Sequence, residues 1–286
     1  MPLIRRLCII GVGLIGGSLA RILREKGEVG EVVGIGRGED NLQRAVELGV
    51  IDRFETDPVA GVADADLVFL ATPVCSIAPI LARIAPHLAP GCIVTDGGSV
   101  KGEIVATCEA LMPAGTYFVG GHPIAGTENS GVEASFATLY QGRRCIITPT
   151  TSSDQTAIEK VVRMWELAGS EVVLMDVEKH DRVLAAISHL PHMVAYALVN
   201  AVGGYDRFEE SILGYSAGGF RDFTRIASSD PVMWRDIALM NREGVLEMMD
   251  FFARYFAELR ELVERGDSAG LEAFFARSKE QRDSIL

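Results

Sequence analysis

Leu7-Cys8-Ile9-Ile10-Gly11-Val12-Gly13-Leu14-Ile15-Gly16-Gly17-Ser18 is the stretch that decides the fold. An apolar run reads as a strand. G-x-G-x-x-G follows at once, and Leu14 to Lys26 then reads as a helix with Leu19, Ile22 and Leu23 on one face. In that setting each glycine has a task. Gly11 allows the tight turn, Gly13 lets a pyrophosphate approach the backbone, and Gly16 lets helix and strand pack closely. The helix start at Leu14, Ile15 and Gly16 then faces the phosphates. The reading is a dinucleotide site. A glycine-rich turn that binds nothing is the alternative, and the flanking strand and helix speak against it.

The pattern continues outward. Val32 to Gly36, Leu67 to Ala71, Cys92 to Thr95, Tyr117 to Gly120, Arg144 to Thr148 and Glu171 to Met175 read as further strands. Asn41 to Leu48 and Ala157 to Ala168 read as helices between them. Alternating apolar strands and helices predict an α/β fold: a Rossmann-type, doubly wound, mostly parallel sheet over residues 1–175. Beyond Asp176 the strand pattern stops. Val183 to Ala201, Pro231 to Met240 and Val245 to Val263 are helical in spacing, so residues 176–286 form an all-helical second domain. The last helix carries Val245, Met248, Met249, Phe252, Tyr255, Phe256, Leu259, Leu262 and Val263 on a stripe too wide for one neighbour. That predicts a homodimer through the helical domain. After Val263 a short tail is expected.

Composition narrows the function. The 286 residues carry a net charge of −12 and 48% apolar residues, with no basic block. Nucleic acid is therefore not expected as a partner. Arg5 and Arg6 ahead of an apolar run imitate a signal peptide, but the glycine order inside the run explains it as strand plus helix. Leu67 to Ala82 lacks charge but is short and interrupted by Pro73 and Pro79, so no membrane span is expected. The five cysteines are scattered without a C-x-x-C, which reads as reduced thiols in a cytoplasmic protein. No histidine spacing suggests a metal.

Ligands of such sheets bind beyond the carboxyl ends of the strands. Thr72-Pro73, Asp96 to Lys101 and Gly121 to Glu128 are polar clusters at such ends. His122 follows a strand and can exchange a proton near neutral pH, so it is the first catalytic candidate. Ser99 can hydrogen-bond a substrate hydroxyl or the histidine, or cap the helix after Lys101. In the helical half, Asp181, Ser188, His189, His192 and Arg225 stand out. Pro191 beside two histidines inside an apolar helix breaks a local rule, as functional sites do. Arg225 can grip a carboxylate in two-pronged fashion, or form an ordinary salt bridge with Asp181 or Asp222.

Five motifs then occur in order: Gly11-x-Gly13-x-x-Gly16-Gly17-Ser18, Asp96-x-x-Ser99-x-Lys101, Gly121-His122-Pro123-x-x-Gly126, Ser188-His189-Leu190-Pro191-His192, and Gly218-Gly219-Phe220-x-Asp222-x-Thr224-Arg225-Ile226-Ala227. Together they resemble the prephenate/arogenate dehydrogenase family of tyrosine biosynthesis, over essentially the whole chain. The resemblance implies oxidative decarboxylation of prephenate or arogenate, with hydride passing to NAD(P). It implies His122 as base on the ring hydroxyl and Ser99 as its helper. It implies Arg225 on a substrate carboxylate, His192 facing the substrate, and His189 and Glu128 lining the pocket. Asp181 would pair with Arg225 or shape access to it. Gly11, Gly13, Leu14, Ile15, Gly16, Gly36, Arg37, Thr72 and Pro73 would hold the dinucleotide.

One feature departs from NAD use. The second strand ends Gly34-Ile35-Gly36-Arg37, with no acid for the ribose hydroxyls and an arginine able to meet a 2′-phosphate. The expectation leans to NADP, with Glu39 and Asp40 keeping NAD open. The sequence leaves prephenate and arogenate undivided. It also leaves two other readings: a 3-hydroxy acid or imine-reducing dehydrogenase, which would want a lysine in a helix centre of the second half, and a non-catalytic dinucleotide sensor, which would not need His122, Ser99, His192 and Arg225 together. Relatives that carry a regulatory domain or a fused mutase have no counterpart expected in the tail.

Overall fold

A computed structural model describes residues 1–127, 129–205 and 212–285 of the chain. Its sheet is built from β1 (Ile4–Ile10), β2 (Val29–Ile35), β3 (Arg53–Glu55), β4 (Leu67–Leu70), β5 (Ile93–Asp96), β6 (Tyr117–Pro123), β7 (Arg144–Thr148) and β8 (Glu171–Leu174). The strand order is β3-β2-β1-β4-β5-β6-β7-β8. Pairing is parallel from β3 to β6, antiparallel between β6 and β7, and parallel again between β7 and β8. The chain therefore reverses strand order between β1 and β4, and a crevice opens there at the carboxyl ends.

The helices of the first half are α1 (Leu14–Glu25), α2 (Glu39–Glu47), α3 (Pro58–Gly61), α4 (Val74–Ile84), α5 (Gly102–Leu111) and α6 (Gln155–Leu167). Alternation along β1 places them on both faces. Leu7 and Ile9 pack in one core with Leu19, Leu23 and Trp165 from α1 and α6. Cys8 and Ile10 pack in the other with Ile77, Leu81, Ile104 and Cys108 from α4 and α5. A strand stretch buried on both faces must be apolar throughout, which is why Leu7–Ile10 of β1 and the whole of β4 read as continuous runs.

The second half is helical. It comprises α7 (Val177–Leu184), a π-helical turn (Ala185–His189), α8 (Leu190–Gly203), α9 (Gly218–Thr224), α10 (Pro231–Met240), α11 (Arg242–Arg265) and α12 (Ser268–Asp283). The continuous run from Val177 to Gly203 is long and apolar enough to cross a membrane by length and composition alone. Here the π turn packs against α11, where a Cβ on Gly244 would sit 3.1 Å from that of Ala185.

Some sequence expectations need correction. The segment after Val263 is no mere tail: α12 folds back on α11, and Arg277 pairs with Glu258 at 3.1 Å. Asp267 caps it by accepting from Gly270 N, a Ser/Asp-type signal that was legible. β3 and α3 escaped reading because each is only one turn or three residues long. Pro79 does not interrupt α4 but lies inside it. His122 does not follow a strand; it lies within β6, opposite Ile146 of β7.

Candidate active site

The glycine loop has the geometry its sequence demands. Gly11 has a φ of +100°, and a Cβ there would lie 2.3 Å from the Ala71 carbonyl oxygen. A Cβ on Gly16 would lie 2.4 Å from the Gly11 oxygen and 2.6 Å from Ile9 Cγ2. Gly13 differs, because nothing lies within 4 Å of a Cβ built on it. Two glycines serve close packing, and the middle one faces open space. Gly13 also precedes α1 without a side-chain cap, so the first N–H groups of that helix stay available. Leu14 and Ile15 offer backbone only, since their side chains pack in the core.

A cavity of about 800 Å³ lies over this loop. Gly11, Gly13, Gly36, Arg37, Thr72 and Pro73 line it, and Asp236 of α10 reaches it from the helical half. Thr72 Oγ1 is buried with no hydrogen-bond partner among the described residues. A dinucleotide fits this lining: open backbone at Gly13, an orphaned hydroxyl at Thr72, and an arginine at the end of β2.

The second group of polar residues sits at the same sheet edge. Asp96 ends β5 and is fully buried with Lys101, to which it is ion-paired. Its carboxylate also accepts from Gly98 N at 2.8 Å and from Gly121 N at 3.1 Å. One carboxylate thus ties the Ser99 loop to the strand residue that precedes His122. His122 Nδ1 lies 2.9 Å from His180 Nε2, and His180 Nδ1 lies 2.8 Å from Asp181 Oδ1. Burial, then the charges of His180, Lys101 and His189, hold His122 well below the usual histidine value. Burial likewise lowers His180, although the hydrogen bond it donates to Asp181 pulls the other way.

Asp181 does not pair with Arg225. Its Oδ1 accepts from Lys101 N and its Oδ2 from Gly102 N, both at 2.8 Å. It therefore caps α5 from a different helix, where negative charge is favoured. Burial pushes its carboxyl up, but the bonds from His180, Lys101 and Gly102 outweigh this and hold it below the ordinary range. Ser99 is not that cap, and among the described residues its side chain neither orients His122 nor bonds elsewhere. It stays half-buried beside the site.

His189 and His192 follow from the π turn and Pro191. His192 donates from Nδ1 to the Ser188 carbonyl at 2.9 Å and stacks on Trp234, ring centroids 3.6 Å apart. Burial and the nearby Arg225 charge lower it, against the pull of the Ser188 carbonyl. His189 is buried and lowered to about 4, mainly by desolvation. Its Nδ1 lies 3.1 Å from Asn241 Nδ2, and its Nε2 has no partner among the described residues. Arg225 follows α9 on the exposed side, close enough for its charge to act on His192. Glu128 lies outside the described residues.

Sequence reasoning missed His180 and Asn241 as members of this group, and it read Lys101 only as part of a motif, without its buried pairing with Asp96. His180 could have been noticed as the neighbour of Asp181 at the helix start. Nothing local marks Asn241, whose side chain reaches Asp181 O at 2.8 Å across 60 residues.

Comparison with known proteins decides the family. Residues 19–174 match the model of the prephenate dehydrogenase nucleotide-binding domain, and residues 176–277 match that of the prephenate dehydrogenase dimerization domain. The chain belongs to the prephenate dehydrogenase family. A cyclohexadienyl dehydrogenase of Zymomonas mobilis is 38% identical, covering 99% of this chain and 96% of the relative. The prephenate dehydrogenase of Bacillus subtilis is 36% identical over 97% of this chain and 75% of its own length. Among solved structures, prephenate dehydrogenase of Aquifex aeolicus, in complex with hydroxyphenyl propionate and NAD+, superposes with a TM-score of 0.93 at 40% identity. It covers 99% of this chain and 98% of that one. As a member of the prephenate dehydrogenase family the chain is an NAD(P)-dependent oxidoreductase of prephenate/arogenate type, with the Rossmann domain followed by the helical dimerisation domain.

Proposed function

We propose that the chain oxidatively decarboxylates prephenate or arogenate, with His122 as the base on the ring hydroxyl. The observation that carries this is the buried His122 ring, held from one side by His180, at the strand edge that also bears the dinucleotide cavity. His122 takes the hydroxyl proton on Nε2, the nitrogen its contact with His180 leaves over. Bound nicotinamide dinucleotide supplies the hydride acceptor. As the C–H and C–C bonds of the ring carbons break, the carboxylate departs as carbon dioxide and the ring becomes aromatic. Taking the proton as hydride leaves avoids a protonated carbonyl, and such help is worth about 10²–10⁴-fold. Ser99 steadies the hydroxyl, Arg225 anchors a carboxylate, and His192 and His189 line the substrate's other side, with Glu128 assigned there by resemblance. The division into working units falls at 175/176. Five free thiols, four of them buried, suit a reducing cytoplasm.

NADP is the proposed preference. Arg37 lines the cavity at the end of β2, and no acid stands at position 36 to repel a 2′-phosphate. A Cβ on Gly36 would meet Leu42 at an ordinary 3.5 Å, so Gly36→Asp fits without strain. Rates with each substrate and each cofactor test both proposals together. The wild type should show higher kcat/KM with NADP. Gly36→Asp with Arg37→Ile should swing the ratio toward NAD by about tenfold or more, in keeping with ~1–3 kcal/mol for charged hydrogen bonds. A wild type that favours NAD, or an unmoved ratio, would refute the cofactor choice alone. No turnover with either substrate would refute the reaction.

The assembly proposed is a homodimer through α11 and α12. On one chain Met249, Phe252, Tyr255, Phe256 and Val263 are exposed, and Phe275 of α12 extends the patch. Light scattering at micromolar concentration should give twice the 30.8 kDa chain mass. Phe252→Glu should give monomer or aggregate, whereas an active wild-type monomer would end this reading.

A further inference from the structure

We infer that His180 and Asp181 are positioning residues for His122, and that the proton His122 takes from substrate comes to rest on His180. The argument rests on the proposed reaction only for the source of that proton. Donor and acceptor counting fixes the rest. Asp181 accepts two backbone N–H groups, so its carboxylate is an acceptor. His180 Nδ1, 2.8 Å from it, must carry a hydrogen. Neutral His180 then has its lone pair on Nε2. His122 Nδ1, 2.9 Å away, must donate to that lone pair. Neutral His122 is left with its own lone pair on Nε2, the form a base requires.

The same chain disposes of the proton. The substrate O–H bond breaks and an N–H bond forms at His122 Nε2. His122 releases its Nδ1 proton to His180 Nε2 and is neutral again. His180 becomes an imidazolium between His122 and the Asp181 carboxylate. The surroundings favour this place. Lys101, which precedes α5, opposes a positive charge on both rings, and His189 of the π turn opposes one on His122, while the β5 carboxylate of Asp96 is already ion-paired with Lys101. His180 instead adjoins the Asp181 carboxylate directly. A capping role alone would need Asp181 but not His180.

Nitrogen-15 spectra of the histidines in the ligand-free full chain test the tautomers without any turnover. The expected result is a proton on His122 Nδ1 and none on Nε2 at neutral pH. His180→Phe keeps ring volume and removes the acceptor. It should lower kcat by roughly 10²-fold or more, leave KM for substrate and dinucleotide within about threefold, and give both His122 tautomers. His180→Gln offers a carbonyl to His122 Nδ1 but cannot take the proton. It should restore the single tautomer and recover only part of the rate. A wild-type His122 protonated on Nε2, a folded His180→Phe with near-normal kcat, or His180→Gln no better than His180→Phe would each overturn the inference. If His180→Phe fails to fold, the wild-type spectrum and His180→Gln decide it. A chain that turns over neither substrate fails the proposed reaction, and the spectra still judge the tautomers.

Discussion

His122→Asn should lower kcat by about 10²–10⁴-fold and leave the dissociation constant of the dinucleotide near normal. Asparagine keeps a polar group within β6 but cannot accept the proton. The dinucleotide cavity is lined by other residues, so its affinity is insulated from the change. The pH profile gives a second reading of the same residue. Burial, His180, Lys101 and His189 all push His122 down, so its neutral form is present across the whole neutral range. Wild-type kcat/KM should therefore be flat there and fall only on the acid side of the ordinary histidine value of about 6.5. The sign is that of a base: protonation removes activity. Near-normal turnover in His122→Asn, or an activity that rises as acid is added, would remove His122 from the reaction.

Arg225→Ala should raise the substrate KM about tenfold or more, with a smaller effect on kcat. The reasoning is electrostatic. The protein carries a net charge of −12, and its substrates are anions. Lys101 cannot serve as their anchor because it is buried and already paired with Asp96. Arg225 has no ion pair among the described residues, and it stands near His192 at the end of α9. Losing one charge-assisted hydrogen bond costs roughly 1.5–3 kcal/mol, which is a tenfold effect or more. Arg225→Lys should recover only part, because a point charge cannot match a carboxylate with two parallel bonds. Normal substrate binding in both variants would make Arg225 structural.

The parts legible in the sequence are those governed by local rules. G-x-G-x-x-G reports steric demands at Gly11 and Gly16, so it could be read without a structure. Apolar runs such as Leu67–Leu70 report double-sided burial. The wide stripe on α11 reports a face that one chain leaves exposed. What escaped depends on contacts between distant segments. Asp181 was visible as a carboxylate, but that it caps α5 depends on where α7 crosses that helix. The π turn at Ala185–His189 interrupts the regular α-helical phase just before Pro191, which the residue pattern alone does not announce. His180 was overlooked because a histidine at a helix start has no local signature of the ring it will meet.

Carbon dioxide and reduced nicotinamide, measured together on the purified chain with prephenate and with arogenate, test the central claim most directly. The account predicts that one or both substrates yield the two products in equal amounts, that neither forms without NAD(P), and that His122→Asn suppresses both in parallel. Reduced nicotinamide formed without carbon dioxide, or no product from either substrate, would contradict it.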